Sequence, residues 1–217
     1  MAKIEKNFVS VVALGSQNPQ ILNEDFLKVN KIIPSEQSIF EKKTNFISTP
    51  ILTTIAFGSV EIIVEERRFQ IRHTNLPSWT ETPIFDIVIK YYDVLKFTPV
   101  ETAGFNFNCK IVFDSLEEAN NFHKILLPDT SKIKEIISED VDVGMKLLYS
   151  YKDNGRVLLT IERLIHEKSE RVLNFNYEFS CLKDGQTKWS IFKERLSKVD
   201  QLTQYFSDIT GRLLEII

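Results

Sequence analysis

Apolar residues recur along this chain with two different periods, and the switches between them mark out its elements. From Ile51 the period is two: Ile51–Phe57, Val60–Val64 and Phe69–His73 alternate, with Gly58 as a turn or bulge and a charged Glu66-Arg67 turn between them. That pattern predicts three strands. Residues 7–15 alternate weakly and predict a first strand ending at Gly15, after which Asn18-Pro19 reads as a turn. The polar segment that follows, to about Thr49, carries only a short helical candidate, Asn23–Lys31. The cleanest alternation comes later, where Phe105, Phe107, Cys109, Ile111 and Phe113 point one way and Asn106, Asn108 and Lys110 the other. Three more runs follow: Val141 to Tyr151, Val157 to Ile161 and Leu173 to Cys181. They predict a meander, with Asp153-Asn154-Gly155 supplying the residues a tight hairpin needs and the polar His166–Glu170 segment closing the next one.

Helical spacing appears in three places. Thr82 is placed to cap a helix with Pro83 at its first position, where a missing N–H costs nothing, and Ile84, Val88, Tyr91 and Leu95 follow before Pro99. Ser115 and Glu118 have the spacing of a capping box, which opens a helix running to Pro128, with a second short stretch at Ser131–Ile137. Trp189–Ile216 reads as one long helix with Val199, Leu202, Phe206, Ile209, Leu213 and Ile216 along one face. At a rise of ~1.5 Å per residue it would span about 40 Å. The stripe reads as core, although a homodimer seam would use the same residues.

Strands followed by helix, twice over, give an α+β fold of two antiparallel lobes packed with helices. The expected division is an N-terminal α+β lobe at 1–113, a helical connector at 114–138, and a C-terminal meander with its long helix at 139–217, able to close into one compact domain. Phe105-Asn106-Phe107-Asn108 is echoed by Asn174-Phe175-Asn176-Tyr177, as in a pseudo-repeat.

Composition narrows the function classes. With 217 residues and 43% hydrophobic side chains, the chain can bury a core without staples. Its 27 basic and 30 acidic residues leave a net charge of −3, which disfavours nucleic acid as a default partner. Arg67, Arg68 and Arg72 form the one basic cluster, opposed by Glu61, Glu65 and Glu66. Cys109 and Cys181 lack metal or disulfide-framework spacing and read as buried thiols suited to a reducing cytoplasm. The run Phe8–Leu14 after Lys3 and Lys6 is a minimal signal-like stretch, but Glu5 and Ser10 interrupt the pattern, so a strand is expected instead. No apolar stretch reaches the ~20 residues of a membrane-spanning helix.

Catalytic motifs are absent: there is no Gly-x-Ser-x-Gly elbow, phosphate loop, dinucleotide fingerprint or His-Glu-x-x-His pair. Seven glycines also leave little material for a phosphate cradle. His73, His123 and His166 share no spacing, and Asp140 with Asp142 reads as a solvated strand start. No catalytic, cofactor or metal residue is therefore assigned. The row Asn106, Asn108, Lys110 with Asn174, Asn176, Glu178 is more suggestive, because amides on a sheet face can read a peptide or a base edge, although an ordinary solvated sheet face is the favoured reading. Together with Arg67, Arg68 and Arg72 it is the candidate interaction surface.

Thr102-Ala103-Gly104-Phe105-Asn106-Phe107, Gly155-Arg156-Val157-Leu158-Leu159-Thr160-Ile161 and the terminal Phe206-Ser207-Asp208-Ile209-Thr210 carry a resemblance covering about half the chain. In their order they resemble a sporadically distributed, uncharacterised bacterial family. The resemblance implies no catalytic residue; patchily distributed families of this kind travel with phage-defence or toxin–immunity loci. The leading expectation is a non-catalytic protein-interaction module, a defence, immunity or antitoxin component. The alternatives are an enzyme whose site assembles from distant residues such as His73, Asp86 and His123, and a nucleic-acid binder using the three arginines with the asparagines.

Overall fold

The computed structural model of the chain describes residues 2–33, 46–126, 144–152, 155–163 and 169–215. The expected helix at Ser131–Ile137, Asp140, Asp142, the Asp153-Asn154 pair and His166 lie outside these residues.

Strand alternation builds one antiparallel sheet. Nine strands pair in the order β2-β3-β4-β5-β1-β6-β9-β8-β7. They are β1 (Lys3–Leu14), β2 (Phe46–Ser48), β3 (Leu52–Phe57), β4 (Val60–Glu65), β5 (Arg68–Thr74), β6 (Thr102–Val112), β7 (Met145–Tyr151), β8 (Gly155–Arg163) and β9 (Glu170–Ser180). β3, β4 and β5 are joined by tight turns at Gly58-Ser59 and Glu66-Arg67. Gly58 has a φ of 57°, which an L side chain resists. A small hairpin, β10 (Leu182–Lys183) with β11 (Gln186–Thr187), follows the sheet.

The strands of the two expected lobes meet in this sheet. β6 pairs with β9 over eleven residues, from Thr102↔Ser180 to Val112↔Glu170. The sequence echo acquires a physical meaning there, because Asn106 lies opposite Asn176, Phe107 opposite Phe175 and Asn108 opposite Asn174. β1 returns between β5 and β6, with a bulge at Asn7.

Described helices lie on the aromatic face. They are α1 (Glu24–Val29), α2 (Ile84–Val94), α3 (Leu116–Leu126), α4 (Trp189–Ser197) and α5 (Val199–Leu214). Asn23 caps α1 by accepting the Phe26 N–H at 2.8 Å, and Ser115 caps α3 by accepting the Glu118 N–H at 3.1 Å. α2 buries Ile84, Phe85, Ile87, Val88, Tyr91 and Tyr92, with Tyr91 4.8 Å from Phe69 of β5. Phe206 of α5 stacks on Phe175 of β9 at 4.5 Å and Phe192 of α4 meets Phe179 at 6.1 Å. Val9, Val11, Phe105, Phe107, Phe175 and Phe206 are all essentially inaccessible, so the core is a slab between the sheet and the helical layer.

The expected single terminal helix is corrected to two. Lys198, at φ −103° and ψ 7°, ends α4 and begins α5, and its N–H bonds the Arg195 carbonyl three residues back. The two halves serve different clusters: Phe192 joins Tyr92, Trp189 and Phe179, whereas Phe206 joins Phe107 and Phe175. Val199, Leu202 and Phe206 of the expected stripe are buried, while Ile209 and Leu213 pack at its margin. Among the described residues no helix is long and apolar enough to cross a membrane.

Candidate functional site

Because side chains alternate across a strand, filling one face with aromatics sends every intervening residue to the other. No described helix lies over that second face, although Ser10, Asn108 and Thr160 on it are buried. One row across it runs Glu61, Arg72, Ser10, Asn106, Asn176, Leu158, Leu148. The next runs Thr74, Phe8, Asn108, Asn174, Thr160, Lys146. A third carries Ile63, Gln70, Val12, Gly104, Glu178 and Arg156.

The amides at the centre are held in a network. Asn7 Nδ2 donates to Asn108 Oδ1 at 2.7 Å, and Asn108 Nδ2 donates in turn to Asn174 Oδ1. Asn106 Nδ2 donates to Ser10 Oγ at 3.1 Å. These bonds fix the amide orientations, and each amide keeps further donor and acceptor capacity. Asn176 is half-buried between Asn106 and Leu158, and its side-chain amide has no hydrogen-bond partner among the described residues. Gly104 holds β6 close to β9 here, since a Cβ on it would stand 2.9 Å from the Tyr177 carbonyl oxygen.

Charged groups surround the amides with both signs interleaved. Lys110 lies 3.0 Å from Glu170 and 3.3 Å from Glu5, whose carboxylates push its ammonium pKa up. Hydrogen bonds from Lys3 and then Lys110 hold the Glu5 carboxyl below its ordinary value. Arg156 and Glu178 pair at 2.7 Å. Of the arginine cluster, Arg72 and Arg68 belong to this face, with Arg72 5.1 Å from the Phe8 ring and Arg68 donating to Gln70. Arg67 stands apart in the β4–β5 turn, 3.5 Å from Glu101. Glu61 opposite Arg72 and Glu65 opposite Arg68 break up any continuous basic stripe.

Sequence reasoning missed the contribution of β1. Asn7, Phe8, Ser10 and Val12 stand in the middle of the face because β1 lies between β5 and β6. The weak alternation of residues 7–15 was the available signal, and it carries no information about which strands are neighbours.

The catalytic alternative finds a different arrangement. His73 Nδ1 lies 2.9 Å from Thr82 Oγ1 and its Nε2 lies 2.8 Å from Ser59 Oγ. Burial pushes the imidazole pKa down, with no charged neighbour contributing. A serine–histidine pair whose second ring nitrogen meets a hydroxyl lacks the carboxylate that stabilises an imidazolium. The ring ties the β3–β4 turn to the start of α2. Among the described residues no group of three or more His, Cys, Asp or Glu side chains converges as a metal site.

No protein-family model matches the chain, and no curated protein matches it.

Proposed function

We propose that the chain is a non-catalytic interaction module that docks another protein on the face of its sheet that no described helix covers. The observation that carries this reading is the row Asn106, Asn176, Leu158, Leu148, in which two half-buried amides pass into half-buried Leu158 and exposed Leu148. Leu148 is 67% exposed, and Phe8, Val12 and Leu158 are half-buried, so a partner could exclude water from apolar area while completing amide hydrogen bonds. A flat array of amides, one of them unpartnered, suits a polypeptide backbone, which offers both N–H and C=O groups.

Interleaved charge on the same face supports a protein over a nucleic acid, since neutralising phosphates needs an excess of cations in one place. Two free, buried cysteines suit a reducing cytoplasm, and the family resemblance associates such a module with phage-defence or toxin–immunity systems.

The test is capture by the tagged chain from its native cells, compared with a double variant, Leu158→Asp and Asn176→Arg. Both positions face outward, so the far-UV circular dichroism of the variant should match the parent. The proposal expects a discrete protein retained by the parent and lost by the variant. Equal retention by both, or retention by neither, contradicts it.

A further inference from the structure

The Asn7 bulge has a second effect, at the opposite face of the sheet. It shifts the register so that Lys6 pairs with Cys109, whose side chain belongs to the helix-covered face. Lys6 is thereby turned towards the helical layer. There its ammonium stands 5.4 Å from the centre of the Trp79 ring, at a cleft of about 500 Å³ between β1, the Leu76–Trp79 segment and α5. That volume lies in the range of small-molecule sites, about 300–1,000 Å³.

Beside the paired Lys3 and Glu5, two side-chain donors of this cleft, Lys6 and Ser207, have no acceptor among the described residues, and neither has the buried Trp79 indole N–H. Lys6 has no carboxylate partner, because Glu5 is paired with Lys3 at 2.9 Å and with Lys110. Trp79 Nε1 is buried with nothing to receive its proton. The Ser207 hydroxyl of α5 projects from the facing helix and makes no hydrogen bond. Thr210 beside it is already engaged, donating to the Phe206 carbonyl at 2.7 Å. Donors left unpaired in a partly buried cleft call for an acceptor, and a cation among them calls for an anionic one. Ile4, Leu76 and Pro77 supply apolar wall.

We propose that this cleft binds a small monocarboxylate with an apolar tail, its carboxylate held by Lys6 and the Ser207 hydroxyl and its tail against Ile4 and Pro77, close to the buried indole. One uncompensated lysine matches one negative charge; a phosphate dianion would carry an excess, and no arginine fork is present to clasp it. The site is separate from the sheet face proposed for protein docking and stands or falls independently of it.

Decanoate titrated into isotopically labelled protein tests the proposal. The chain has two tryptophans, so Trp189→Phe assigns the two indole N–H resonances. Expected is a saturable shift of the Trp79 resonance, weakened about tenfold or more in Lys6→Met, which keeps the apolar stem, and weakened in Ser207→Ala. Decanol, with the same tail and no charge, should bind at least tenfold more weakly. Should Lys6→Met fail to fold by circular dichroism, Ser207→Ala and the decanol comparison decide the matter. Absence of a Trp79 shift, equal binding of decanol, or affinity unchanged in a folded Lys6→Met overturns it.

Discussion

Replacing Phe206 by alanine probes the contact between helical layer and sheet most sharply. The ring is fully buried, stacked on Phe175 at 4.5 Å and 25° and tilted against Phe107 at 5.2 Å and Tyr205 at 5.4 Å. Truncation removes its transfer energy and leaves a void, together costing about 3–5 kcal/mol. Phe107 and Phe175 are fixed on paired strands and cannot close the void, and lost ring contacts add about 0.5–1.5 kcal/mol, so the upper half of that range is expected. A loss of about 4 kcal/mol in a chain of this length lowers the melting temperature by roughly 8–16 °C. Urea unfolding followed by circular dichroism at two protein concentrations reads the loss. Phe206→Ala should unfold at much lower urea, equally at both concentrations. A loss under about 1 kcal/mol, or a fall in molecular mass with the fold intact, would refute the core assignment in favour of a homodimer seam.

Cys109 and Cys181 are fully buried, and burial pushes both thiols up to about 12, so a thiol reagent at pH 8 should label neither before unfolding; rapid labelling of the native protein would contradict their placement. Gly104→Ala should cost about 1–3 kcal/mol, because its Cβ would stand 2.9 Å from the Tyr177 carbonyl oxygen and force β6 from β9; an unchanged urea midpoint would show that the strands are looser than described. His73 has a folded pKa below the ordinary 6.5, so the unfolded chain takes up its proton first. Its contribution to stability is full above about pH 6.5 and is lost as pH falls towards the folded value. An NMR titration should place its midpoint below 6.5, and His73→Gln should flatten the fall in stability on that acidic side; a midpoint at or above 6.5 would contradict the buried, neutral ring.

Local patterns made the α+β class, most strands and the Ser115 cap legible, whereas the cap expected at Thr82 falls on Pro83, without a side-chain capping bond. Phe105 to Phe113 could be assigned to one face and Asn106 to Lys110 to the other because strand geometry alone fixes that alternation. Likewise the Ser115 cap depends on a contact within three residues. Pairing depends on contacts far apart in sequence, so neither the position of β1 beside β6 nor the joining of β6 to β9 could be read. The asparagine echo falls on two neighbouring strands, β6 and β9, whose paired residues share one environment. A period of 3.6 continues smoothly through Ser197 and Lys198, so the break between α4 and α5, which leaves Phe192 and Phe206 on different ring partners, was hidden. The Lys6 cleft was equally hidden, since a one-residue bulge decides which face Lys6 occupies.

The docking claim is tested most directly by a photocrosslinking residue placed, in living cells, at Asn176 on the sheet face that no described helix covers and, in separate proteins, at Glu194 and Asp208 on the exposed side of the helical layer. The account predicts a discrete higher-mass adduct from position 176 and none from the helical positions. No adduct at 176, or the same adduct from the helical layer, would contradict it.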